Sequence, residues 1–261
     1  IIEHADVRRM LLAQKAYAEG AYALCLLGTK LADDEQTAPT EEERTKAHTL
    51  LDFLTPIIKT WPSEYGPKAN YFAIQVLGGS GYVNEHPVEM MYRDNRLNPI
   101  HEGTTGIQSL DLLARKVPQN GLAGYTACIE AIHETIAEAR GRDELGGFAD
   151  ELESAVGTLK EVTDFLLSSM LEKNIDLVLA NSVKYLDVFG NVVIAWMWLK
   201  QGVAASKGLA CASSVADENF YRGKLQAMRY FFRYELPEIN AWANLLMTLD
   251  DTTHSMKVDW F

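Results

Sequence analysis

Cysteine is scarce and badly placed for any covalent or metal framework. The three present, Cys25, Cys128 and Cys211, are odd in number and far apart, with no CxxC and no Cys/His cluster at metal spacing. No disulfide framework is expected, and the three read as reduced core thiols in a reducing, cytoplasmic compartment. Long apolar runs are lacking too. The longest, Val192 to Leu199, is too short to cross a bilayer and ends at Lys200, so no membrane span is expected. The first twenty residues carry neither the apolar core nor the cleavage site of a signal peptide. The chain opens without Met on a helical pattern already in progress, as a segment of a longer chain does. Basic residues are outnumbered 24 to 36, a net charge of -12. With no basic stripe to neutralise phosphates, a nucleic-acid partner is not expected. Strand patterns are nearly absent.

What remains is helical. The composition, 48% apolar and 23% charged over 261 residues, is that of a globular chain able to bury a substantial core. Apolar spacing predicts a first helix from residue 5 to about 32, ended by the acidic stretch Asp33 to Glu43 with Pro39 inside it. Ala47 to Thr60 resumes the pattern until Trp61-Pro62, and a third helix is predicted from Ser63 to Leu77. Pro87 suits the first position of a fourth, ending near Asn98-Pro99. A fifth starts at Thr104 or Thr105, with Ile107, Leu110, Leu113 and Ala114 as its apolar face. From Gly124 onward, long amphipathic segments follow at roughly 125–140, 148–172, 174–206, 217–233 and 236–248. The fold class expected is all-α: an antiparallel bundle over residues 1–120 and a second helical bundle over 121–261, divided at the break from Pro118 to Gly124.

Residues 71 to 108 carry the chemistry. Gly78-Gly79 ends a helix where the backbone can take left-handed angles or approach a ligand. Further on, His101-Glu102-Gly103-Thr104-Thr105-Gly106 sets a carboxylate beside glycine just before a helix start, which suits a base next to an anion- or carbonyl-binding helix end. Either motif alone is most often only a turn or a cap. Their combination, with Tyr92-Arg93-Asp94 between them, is more specific.

QVLGGSGY, HPVEMMYRD and HEGTTGIQ resemble, in order and spacing, the C-terminal helical domain of the acyl-CoA dehydrogenase family, over about residues 1 to 117. The remainder resembles the extra C-terminal helical region of a longer bacterial subgroup. The resemblance implies an FAD-dependent α,β-dehydrogenation of an acyl-CoA thioester, with Glu102 at the position of the α-proton-abstracting base. It implies that Gly103 leaves space for the acyl chain and that Thr104, Gly106 and Gln108 lie in the turn that touches the flavin. Many relatives have glutamine where this chain has Gly106. Gln75, Gly78 and Gly79 match positions that approach the adenosine diphosphate part of a cofactor bound to a partner subunit, so a homodimer or homotetramer is implied. An electron-transferring flavoprotein is the acceptor the family implies. The family's N-terminal and middle domains, and an arginine that contacts flavin phosphate, would lie upstream of Ile1. A catalytically silent helical oligomerisation module is the alternative.

Other residues read as structural. Arg93 and Asp94 are expected to form an ion pair or hydrogen-bond network under the loop. His86 is turn chemistry, and His101 a polar loop residue. Phe220, Tyr221, Tyr230, Phe231, Phe232, Tyr234 and Trp242 read as core or subunit packing, with Trp196 and Trp198 on different faces of their helix.

Overall fold

The computed structural model describes residues 1–261 and contains helices and turns but no strand. Helices α1 (Ala5–Thr37) and α2 (Glu41–Leu77) form an antiparallel hairpin, with Arg9 over the Phe72 ring at one end and Gly28 against Ile58 further along. Then come α3 (Gly79–Tyr82), α4 (Val88–Asn95) and α5 (Thr105–Leu110), the last continued by a π-helical turn at Asp111–Lys116. The rest comprises α6 (Ala123–Arg140), α7 (Gly146–Glu172), α8 (Ile175–Leu179), α9 (Ser182–Ala210), α10 (Val215–Tyr230), α11 (Ile239–Met247) and α12 (Thr252–Ser255). A second π-helical turn, Phe231–Glu235, extends α10.

Two predicted breaks are absent or displaced. The acidic stretch does not end α1 at residue 32, because Lys30 pairs with Asp34 and the helix runs to Thr37. The link is only Ala38 to Thr40, where Thr40 and Glu43 form a capping box that starts α2. Trp61-Pro62 is not a helix end either, as α2 passes through Pro56, Pro62 and Pro67. An interior proline costs about 3 kcal/mol, and packing offsets it here. Pro56, Trp61, Tyr65 and Pro67 are buried, and the Trp61 and Tyr65 rings stack at 3.9 Å. Conversely, the segment predicted at 174–206 is two helices, broken at Ala180-Asn181.

Helix α9 is the axis. It packs against α1, α2, α5, α6, α7, α10 and α11, and a core of 52 buried residues runs without interruption from Ala13 to Leu246. It is also the one helix long and apolar enough to span a bilayer, yet 83% of its apolar window is buried by the other helices. Trp196 donates to Thr135 Oγ1 on α6 at 2.8 Å and Trp198 to the Ala16 carbonyl on α1 at 3.1 Å, so opposite faces of α9 are fixed to different neighbours. Of the aromatic series, Tyr230, Phe231 and Phe232 are core, whereas Phe220 and Tyr234 are exposed. Cys128 is buried, but Cys25 and Cys211 are exposed, which corrects the expectation of three core thiols.

A polar knot crosses this core. Asn191 Oδ1 accepts from Trp61 Nε1 at 2.9 Å and from the Tyr65 hydroxyl at 3.2 Å, while Asn191 Nδ2 donates to the Glu235 carbonyl at 3.2 Å. Glu235 Oε1 in turn accepts from Tyr17 at 2.7 Å and Tyr230 at 3.1 Å. Replacing Asn191 by Ala strands two buried donors and a carbonyl, each costing about 1–3 kcal/mol. Denaturant unfolding should therefore show a loss on the order of 3 kcal/mol, and a loss below about 0.5 kcal/mol would contradict the knot's role.

Burial raises the Glu235 carboxyl above its ordinary 4.5, and the hydrogen bonds from Tyr17 and Tyr230 only partly counter it. A group whose folded pKa is raised stabilises the fold fully below its unfolded value and loses that contribution as pH rises through the folded one. Thermal unfolding followed from about pH 4.5 toward neutrality should therefore be flatter for Glu235→Gln than for the parent. Parallel curves would show that Glu235 folds with an ordinary pKa.

Candidate active site

The segment predicted to carry the chemistry begins at the C-terminal end of α2. Gly78 turns the chain at φ +61°, and Gly79 opens α3. A side chain on Gly81 would meet the Ile74 carbonyl at 2.7 Å, so the turn closes only with glycine. A Cβ on Gly78 or Gly79 would meet nothing within 4 Å, and Gln75 beside them is exposed. The Gly78 N–H donates back to the Gln75 carbonyl at 3.2 Å, so the turn is closed on its inner side and bare on its outer one.

The second part lies between α4 and α5. Lys59 on α2 reaches up with its ammonium and donates to the carbonyls of Asn98 and Gly103, both at 2.8 Å, closing the loop from two sides. Glu64, a little over one turn later on α2, accepts from the Thr105 hydroxyl. An amide relay, Asn98 to Asn95 at 2.5 Å and Asn95 to Asn70 at 2.9 Å, fastens the end of α4 to the same helix. Burial pulls Lys59 below the ordinary lysine range against the opposing pull of Glu64 and Glu102.

Held in this way, Glu102 (φ +55°) and Gly103 (φ +85°) take consecutive left-handed conformations. For Glu102 that costs roughly 1–2 kcal/mol, which the surrounding bonds must offset. The Glu102 carboxylate is exposed, and its carbonyl accepts from Gln108 Nε2 at 3.3 Å. A Cβ on Gly103 would sit 2.6 Å from that same amide nitrogen. Thr104 caps α5, accepting from the Ile107 N–H at 3.4 Å, and Gly106 faces open space. The Glu102 and Gly103 N–H groups have no partner in the chain.

The structure gathers Glu102, Gly103, Thr104, Gly106 and Gln108 into one turn but does not join them to Gln75, Gly78 and Gly79. The turn sits at the level of Lys59 and Glu64, and Gln75 lies eleven residues beyond Glu64 along α2, about 16 Å at the helical rise. No Arg93–Asp94 ion pair forms; both side chains are exposed, because the asparagine relay already holds the helix. His101 contacts Asn98 Oδ1 at 3.2 Å and is exposed, and His86 is exposed in its turn. The apolar face predicted for α5 is also displaced. The π-helical turn inserts an extra residue into the register, so Leu112 and Leu113 are buried while Ile107, Leu110 and Ala114 are exposed. Lys59 and Glu64, which fix the turn, carry no motif. Their spacing becomes meaningful only once α2 is known to be continuous.

The description "Acyl-CoA dehydrogenase, C-terminal domain" matches residues 1–117, and "Acetyl-CoA dehydrogenase C-terminal like" matches residues 128–257. The chain belongs to the acyl-CoA dehydrogenase family. It is 34% identical over 246 residues to 3-methylmercaptopropionyl-CoA dehydrogenase of Ruegeria pomeroyi, covering 92% of this chain and 40% of that protein. It is 29% identical to a broad-specificity linear acyl-CoA dehydrogenase of Mycobacterium tuberculosis, covering 96% and 42%. The chain thus spans about two fifths of the length of these curated relatives. In fold it resembles a Bacillus anthracis acyl-CoA dehydrogenase complexed with FAD, with a TM-score of 0.70 at 19% identity over 93% of this chain and 42% of that one. Caenorhabditis elegans ACDH-11 in complex with C11-CoA gives 0.63 at 18% identity, covering 92% and 39%.

Replacing Lys59 by Met removes both ammonium bonds from the Glu102 turn while keeping the aliphatic stem. Amide hydrogen exchange across residues 98–105 should quicken, the Thr105 N–H bonded to Pro99 included, with a local loss of about 1–3 kcal/mol. Unchanged protection would mean the turn holds itself.

Proposed function

We propose that this chain is the C-terminal helical portion of an FAD-dependent acyl-CoA dehydrogenase and that Glu102 abstracts the α-proton of an acyl-CoA thioester. The observation that carries this reading is the pinned left-handed turn. It projects a carboxylate outward beside two free backbone N–H groups, on a loop tied to α2 by Lys59. A carboxylate is a weak base toward a carbon acid, so the thioester carbonyl must be polarised as the proton leaves. The unpaired Glu102 N–H is a donor suited to that carbonyl oxygen, where enolate charge develops. Side chain and backbone of one residue would then act together. The bare Gly103 Cα lets the Gln108 amide close over the turn, and an acyl chain gains room beside Glu102 when that flexible side chain swings aside.

FAD, when bound, supplies the acceptor for the β-hydride. The residues present fit it. Gly78 and Gly79 offer a backbone surface bare of side chains next to the exposed Gln75, which a diphosphate can approach closely, and Thr104, Gly106 and Gln108 form the turn next to the base. On the family resemblance, the Glu102 turn serves the flavin of its own subunit, and Gln75, Gly78 and Gly79, about 16 Å further along α2, approach the adenosine diphosphate of a sister's cofactor. A homodimer or homotetramer follows, and the exposed Tyr82, Met90, Met91, Leu97, Ile100 and Ile107 are apolar surface consistent with such cover. Covering Glu102 would also provide the dry surroundings a carboxylate base needs.

Residues 1–120 and 121–261 are read as two units of this assembly, in line with the limits of the two family matches. An electron-transferring flavoprotein is the acceptor, and the unpaired cysteines accord with a cytoplasmic setting. The substrate class, an acyl-CoA, is supported by the names of the relatives above.

In the flavin-loaded protein, Glu102→Gln should retain FAD but slow flavin bleaching by an acyl-CoA on the order of 10²- to 10⁴-fold, the contribution expected of a general base. Bleaching at the parent rate would remove Glu102 from the mechanism. A colourless protein that takes up no flavin would instead favour a silent helical module.

A further inference from the structure

We propose a second binding site, for a small phosphate-bearing anion, in the groove between the start of α1 and the end of α10. The groove encloses about 540 Å³ and brings together Arg8, Arg9, Arg229 and Arg233, with Tyr230 and Tyr234 as a wall. No carboxylate lines it, although the chain carries 36 acidic residues to 24 basic ones. None of the residues assigned above to FAD or substrate lines it either, so the proposal stands independently of that reading.

The four guanidinium groups are held differently. Arg9 Nε donates to Asp6 at 2.8 Å and Arg233 pairs with Glu151, two acids outside the groove that orient them. Arg8 is tethered only through its Nε to the Ile2 carbonyl at 2.9 Å. Arg229, exposed one residue before Tyr230, makes no hydrogen bond or ion pair in the chain. Two positive charges are thus uncompensated in one groove, flanked by two that are already oriented. Like charges gathered without a counterion repel, and an anion that accepts from several guanidinium forks at once relieves the repulsion. A tetrahedral dianion meets forks arriving from several directions better than a flat monocarboxylate does. The carboxyls of Asp6 and Glu151 engage only Arg9 and Arg233, and Glu235 accepts from Tyr17 and Tyr230, so none pairs with Arg8 or Arg229. The exposed Tyr234 ring is stacked on the buried Tyr230 ring, 4.7 Å apart and 7° from coplanar, and is the aromatic surface on which a ring carried on the phosphate can rest.

The ligand class is therefore a phosphate or diphosphate, free or borne by a nucleoside. Calorimetric titration of the 261-residue chain at low ionic strength, with inorganic pyrophosphate, adenosine 5′-diphosphate and adenosine as separate probes, tests it. Saturable one-to-one binding of pyrophosphate is expected. Arg229→Ser should weaken it at least tenfold and Arg8→Ser with Arg229→Ser more, while Arg115→Ser, at a surface site elsewhere, leaves it unchanged. Because Arg229 has no partner in the chain, its variant should keep the parent's unliganded unfolding temperature. Tighter binding of the nucleotide than of pyrophosphate identifies a nucleotide site, and equal binding identifies one for the phosphates alone. Absence of saturable binding by both, or equal weakening by Arg115→Ser, would overturn the proposal.

Discussion

The buried amide of Asn191, midway along α9, joins the parts on which the candidate site rests. One of its atoms accepts from both Trp61 and Tyr65 on α2, and the other donates to the backbone at Glu235. In a dry core these bonds are stronger than in water, and leaving any of the groups unpaired is costly. The stacked Trp61 and Tyr65 rings lie in the stretch where α2 must pass Pro62 and Pro67 without breaking. Tertiary burial therefore overrides local propensity, and the uninterrupted helix can present Lys59, Glu64 and Asn70 along one direction.

Those three side chains convert a core constraint into a surface geometry. Lys59 and Glu64 fasten the Glu102 turn, and Asn70 fastens the helix before it. The turn stores backbone strain at Glu102 that its own short loop would not sustain. The turn is thus fixed against the middle of α2, while the Gly78-Gly79 turn lies at that helix's C-terminal end. The arginine groove adds a third location, where α1 from one family match meets α10 from the other.

Much of this was legible in the sequence, and the misses have physical causes. The Gly78 turn was readable because left-handed backbone has few residue solutions, and the Glu102 segment because a carboxylate beside glycine precedes a helix start, although the left-handed Glu102 itself was not foreseen. The helices after Gly124 were readable because their apolar spacing faces a single core. The passage of α2 through three prolines was not, since propensity says stop and only packing says continue. The π-helical turn at Asp111–Lys116 shifted the buried residues by an amount that a regular period cannot anticipate. Cys25 and Cys211 lie outside the core although thiols usually lie within it. The arginines of the groove are some 220 residues apart in two pairs, so an acidic chain without a basic stripe still concealed a local positive site.

The most direct test of the central claim follows the substrate's α-hydrogen rather than the flavin's colour. A saturated acyl-CoA is incubated in deuterium oxide with the flavin-loaded protein, and its α-carbon is watched by proton magnetic resonance. If the Glu102 turn delivers a base to that carbon, deuterium should enter there stereospecifically, and it should cease to enter when the carboxylate is replaced. Oxidation of the thioester by a protein lacking the carboxylate, with its α-exchange undiminished, would contradict the account.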